Sequence, residues 1–114
     1  MNIEQLRKFC LAMPGATEDI KWGADLCFSV GAKMFAVTSA DSSAGGISLK
    51  CTPEKFDELI ERENIEPAAY VGRYKWVHIK TLDTVKPDEL KALIEKSYQL
   101  VFDKLAPKIK KTIG

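Results

Sequence analysis

Three consecutive segments between residues 25 and 51 alternate apolar with polar or small residues, and this pattern limits what the chain can fold into. Leu26, Phe28 and Val30 alternate with Asp25, Cys27 and Ser29, the two-residue period of a strand buried on one face. Gly31-Ala32-Lys33 supplies a turn, and Met34 to Thr38 returns as the partner strand. After the polar loop SADSSAGG, Ile47, Leu49 and Cys51 alternate with Ser48 and Lys50. Three strands joined in this order make an antiparallel meander. Its apolar face must be covered by another part of the chain.

Helices provide that cover. A first helix is expected from about residue 3 to residue 12: Ile3, Leu6, Cys10 and Met13 fall at helical spacing with Phe9 widening the stripe, Asn2 is a candidate N-cap, and Pro14-Gly15 ends it. Thr52 and Pro53 open a second helix as N-cap and first helical residue, and Lys55, three on from Thr52, rules out a capping box. A third helix begins between Asp83 and Pro87 and continues to about residue 105, with Leu90, Leu93, Ile94, Ser97, Tyr98, Val101, Phe102 and Leu105 on one stripe. Tyr74 to Lys80, YKWVHIK, is a strand, and NIEPAAYVG before it is irregular or a short edge strand, because Pro67 cannot donate to a ladder. ATEDIKWG reads as a connector in which Trp22 tucks over the core edge, and the tail PKIKKTIG as a basic, frayed end. The order α-β-β-β-α-β-β-α predicts one α+β domain over residues 1–114: two layers, about five antiparallel strands, and helices on one face.

The 114 residues need no metal or disulfide to build a core. Cys10, Cys27 and Cys51 are odd in number and form no C-x-x-C pair, which suits buried free thiols in a reducing compartment and predicts a cytoplasmic protein. No apolar run is long enough to span a membrane, and the N-terminus lacks a secretory pattern. The net charge of +1 conceals polarity: residues 54–66 hold six acids against Lys55 and Arg62, whereas residues 72–114 hold ten Lys or Arg against five acids. Such a molecule permits an anionic partner, although amphipathic helices alone also produce this pattern.

No chemistry-bearing motif emerges. His78 is the one histidine, and no zinc spacing, phosphate loop, dinucleotide fingerprint or nucleophile elbow occurs. Ser43-Ala44-Gly45-Gly46 joins two strands and reads as a turn. No catalytic residue, metal or cofactor is therefore expected.

The most informative segment is YKWVHIK. Alternation puts Val77 and Ile79 on one face and Trp76, His78 and Lys80 on the other. Ser48 and Lys50 join the second face, Arg73 and Lys75 lie at its margin, and Lys33 caps the first hairpin. Rings that stack on bases, interleaved with cations that neutralise phosphates, are the makings of a nucleic-acid platform. Against this, Trp76 can equally be covered by PAAYVG or by Trp22, and the pI of 7.7 is well below that of typical nucleic-acid binders.

Four strings, MPGATEDIKWG, FSVGAKMFAV, PAAYVGRYKWVHI and SYQLVFDKLAPK, occur in an order that resembles the MmcQ/YjbR family of small bacterial proteins. The likeness covers nearly the whole chain, with Ala106-Pro107 lengthening the link to the final lysines. The resemblance implies a frataxin-like α+β fold, also described as a double wing, and a DNA-binding role inherited by fold comparison. The leading expectation is a monomer that binds DNA through Lys33, Lys50, Arg73, Lys75, Trp76, His78 and Lys80. The alternative is a protein-interaction or chaperone-like adaptor using the sheet face and the acidic helix. A small-molecule enzyme ranks below both and would be revived by a concave pocket containing His78 or a cysteine with a perturbed pKa.

Overall fold

The first helix, α1 (Ile3–Leu11), starts at a capping box: Asn2 accepts from the Gln5 N–H at 2.8 Å and Gln5 accepts from the Asn2 N–H at 3.1 Å. The computed structural model describes residues 1–21, 25–39, 46–69 and 72–113, without the side chains of Ser39 and Arg73. The expected seat of Trp22, the turn through Ser43, Ala44 and Gly45, the Tyr70-Val71 part of PAAYVG and the side chain of Arg73 lie outside the described residues. After α1 come β1 (Thr17–Lys21), β2 (Asp25–Val30), β3 (Lys33–Ser39), β4 (Ile47–Lys50) and α2 (Pro53–Leu59). Then follow β5 (Ile65–Pro67), β6 (Trp76–Ile79), α3 (Pro87–Asp103) and α4 (Pro107–Ile113). The strands form one antiparallel sheet in the order β1-β2-β3-β4-β6-β5.

The meander is present as expected, in an α+β fold, but the sheet has a sixth strand. β1 occupies part of the segment expected to be a connector. It is an edge strand with no buried residue, so it carries none of the one-sided alternation that marks the others. Lys33 belongs to β3 rather than to the turn. It pairs with Val30, leaving Gly31 and Ala32 as a two-residue loop at φ +56° and +65°, the geometry that matches strand twist in a tight hairpin. The tail expected to fray is helical as α4, with Ile113 packed against the core. Lys86 has extended backbone (ψ 150°), because proline disfavours helix in the residue before it. The 3₁₀ turn at Leu82–Thr84 therefore stays separate from α3.

Leu26, Phe28, Ala36, Ile47, Leu49, Val77 and Ile79 point to the helical side and are buried there with Leu6, Leu90, Leu93 and Ile94. A β-bulge at Phe28/Ser29 takes Phe35 out of register, and its ring meets Tyr98 edge-on at 5.4 Å between centroids. Ser97, fully buried on α3, donates to the Phe35 carbonyl at 2.6 Å and accepts from the Lys50 N–H at 2.9 Å. The side-chain hydroxyl thus bridges two backbone groups where β3 and β4 part. Tyr98 donates to the Pro14 carbonyl at 2.6 Å, tying α3 to the end of α1. The helices among the described residues pack on this side and leave the opposite face of the sheet open.

Candidate functional site on the open face of the sheet

Strand register assembles the open face from residues distant in sequence. Cross-strand pairing runs Asp19–Cys27–Val37–Ser48–His78–Glu66 in one row from β1 to β5, and Lys50 pairs with Trp76 in the next. Trp76 and His78 are half-buried while Val77 and Ile79 between them are fully buried, as the alternation predicts. Ser48 Oγ lies 2.9 Å from Nδ1 of His78.

This face is concave. A cavity of about 840 Å³ is lined by Asp25, Met34, Val37, Ser48, Glu66, Pro67, Ala68, Ala69, Trp76 and His78. Its size is that of a small-molecule site, and so is its make-up of apolar walls with a few convergent polar groups. Gly46 shapes one margin: a Cβ there would sit 2.9 Å from the carbonyl oxygens of Ile79 and Lys80 and 3.0 Å from Cε1 of His78. The glycine in the S-A-G-G string therefore permits close approach to β6 and to the histidine ring, beyond its part in a turn.

Of the seven residues expected to form a nucleic-acid face, register brings Lys50, Trp76 and His78 onto adjoining rows, while Lys33, Lys75 and Lys80 are placed apart from the cavity and the Arg73 side chain lies outside the described residues. Trp76 and His78 share the cavity. The Lys50 ammonium stands beside that of Lys104; burial, and then this neighbour, push it below the ordinary lysine value. Lys75, at φ +68°, carries its ammonium 4.9 Å from the centre of the Phe56 ring, toward α2. Lys33 is exposed at the β2–β3 turn, on the end of the sheet where Gly31 meets Leu105 and Ile109. Lys80 follows Ile79 at the opposite end of β6, about 13 Å from Trp76 at strand rise. Glu66 and Asp25 also face the cavity, so the described face is mixed in sign where a continuous positive patch was expected.

Sequence reasoning missed Glu66, Asp25 and Met34 as site residues. Glu66 was counted with the acidic helix, although Pro67 marks it as the residue before the end of an edge strand. Among the acids of α2, Glu58 is engaged: it pairs with Lys55 at 2.8 Å and Arg62 at 3.2 Å, and Arg62 also reaches Glu89 of α3 at 2.8 Å.

The arrangement is suited to binding. Ser48 lies in a strand paired on both sides, so the nearby backbone N–H groups serve the ladder rather than forming an oxyanion hole. The cysteines offer no activated thiolate: burial pushes Cys10 up to about 12 and Cys51 to about 11, and raises Cys27. No group of three or more possible metal ligands occurs among the described residues. No helix among them is long and apolar enough to cross a membrane.

Fold and site together define a class: an α+β domain whose open antiparallel sheet carries a concave, partly apolar site. Residues 11–100 match the YjbR family, and the chain belongs to it. The chain is 24% identical over 102 residues to the Escherichia coli K12 protein named "Uncharacterized protein YjbR", spanning 87% of this chain and 86% of that one. The crystal structure of Deinococcus radiodurans DR2400, a DUF419 domain, superposes with a TM-score of 0.88 at 28% identity, covering 99% of this chain and 88% of that one. A crystal structure of a Pseudomonas syringae protein shares the fold with a TM-score of 0.71 at 22% identity, over 89% of this chain and 99% of that one.

Proposed function

We propose that the protein is a cytoplasmic binding protein that holds a small organic ligand in the open-face cavity. The observation that carries this reading is the cavity itself. Its volume of about 840 Å³, the half-buried Trp76 and the Ser48–His78 pair lie on one concave surface, combining apolar area with polar groups that fix orientation. The buried free cysteines fit a reducing compartment. The test is ligand-dependent stabilisation. A compound held at a hundred times its Kd stabilises the native state by about 2.7 kcal/mol. That gain should appear as a raised melting temperature in the native protein and disappear in Val37→Arg, which fills the cavity. Hits that stabilise Val37→Arg equally would overturn the reading.

One observation favours nucleic acid as a second reading. Lys33, Lys50 and Lys104 gather at the end of the sheet beside α4, which adds Lys108, Lys110 and Lys111. On this reading a salt-sensitive mobility shift of duplex DNA weakens with Lys50→Glu and Lys104→Glu but not with Lys80→Glu. Equal weakening by Lys80→Glu, or no shift at low salt, would contradict it.

A further inference from the structure

We infer that the open-face cavity selects a cationic ligand, a small organic amine with an apolar body. This rests on the reading of the cavity as a ligand site and adds the ligand's chemical class. Of the ten described lining residues six are apolar, and the two carboxylates, Asp25 and Glu66, meet no lysine or arginine among the other described lining residues. Neither carboxylate has an ion pair among the described residues, whereas Glu18, Glu58 and Glu89 are each paired with a base at 2.6 to 2.8 Å. Lys21 faces Asp25 across the β1–β2 pair and Lys80 lies two residues on from His78, the partner of Glu66, yet neither lysine makes an ion pair with these carboxylates among the described residues, while Lys50 stands by Lys104 and Lys75 lies over Phe56.

Two features shape the ligand. Asp25 is on β2 and Glu66 on β5, so the carboxylates flank the cavity from opposite sides. Four strand spacings separate them in the order β2-β3-β4-β6-β5, about 19 Å along a flat sheet. Either end can seat an ammonium while the apolar body lies against Met34, Val37 and Ala68 between them. The half-exposed ring of Trp76 adds a face to which a desolvated cation is attracted.

A matched series with one aromatic body tests the class: phenethylamine, neutral 2-phenylethanol and anionic 3-phenylpropionate, titrated at low salt and followed by the backbone amide signals of Ser48, Glu66 and His78. Phenethylamine should bind about tenfold more tightly than the alcohol, with the preference shrinking as salt is added. The double variant Asp25→Asn, Glu66→Gln should lose that preference while keeping its affinity for 2-phenylethanol. Equal binding of all three, tighter binding of the acid, or a preference that survives in the double variant would overturn the inference and leave the ligand site standing. Failure of every probe to move the cavity amides would overturn both.

Discussion

Ser48 Oγ and Nδ1 of His78 meet at 2.9 Å across the β4–β6 pair, on the face of the sheet that no helix among the described residues covers. The bond fixes one ring nitrogen and leaves the other edge of the imidazole for a ligand. Because the pair is only half-buried, Ser48→Ala should cost less than about 1 kcal/mol of stability. It should lower affinity for cavity ligands severalfold, because the ring is then free to rotate. Urea denaturation beside a ligand titration checks both; a large stability loss with unchanged affinity would assign the pair to folding.

Gly46 controls the position of the same ring. A Cβ there would lie 2.9 Å from two carbonyl oxygens of β6 and its end, and 3.0 Å from His78 Cε1. Gly46→Ala should destabilise the protein by about 1–3 kcal/mol, the usual range for overpacking, and move the imidazole signals in an NMR spectrum. An unchanged histidine spectrum would show that the backbone alone yields.

Ser97 acts on the other side of the sheet. Its hydroxyl joins the Phe35 carbonyl to the Lys50 N–H at 2.6 and 2.9 Å, and Ser97→Ala leaves both without that partner in a buried place. The expected loss is about 1–3 kcal/mol by chemical denaturation, with amide exchange accelerated at Lys50. Ligand affinity should hold, since Ser97 does not line the cavity.

Acid should weaken the fold through three ion pairs. Hydrogen bonds and charge from Arg7, Lys55 and Arg62 hold Glu18, Glu58 and Glu89 below the ordinary carboxylate value of 4.5. The unfolded chain therefore takes up these protons at higher pH than the folded one. The stabilisation is fully present above pH 4.5 and is lost as pH falls through the lower folded values. Denaturation midpoints at pH 7, 5 and 3 should drop between the last two. The drop should be smaller in Arg7→Gln, Arg62→Gln; an equal drop would place the acid sensitivity elsewhere.

The meander, the capping of α1 and α2, and the placing of Trp76 and His78 opposite Val77 and Ile79 were legible because each is a local pattern. β1 was not, since an edge strand with no buried residue has no reason to alternate. Nor was α4, whose anchor is the meeting of Ile113 and Ile109 with Gly15 and Gly31 across the fold. The site was half legible. Alternation reveals which face a residue takes, but not that Lys75 turns to Phe56, nor that Glu66 on the edge strand stands opposite His78. Those relationships are set by register between strands, which no single segment encodes.

The central claim, that the open face is a ligand site centred on Trp76 and His78, is tested most directly by the indole N–H signal of Trp76, assigned through Trp76→Phe and followed while phenethylamine is added. The account expects this signal to move together with the amides of Ser48 and His78, saturably, with the lysines beside α4 unmoved. A Trp76 signal that stays in place while other regions respond would contradict it.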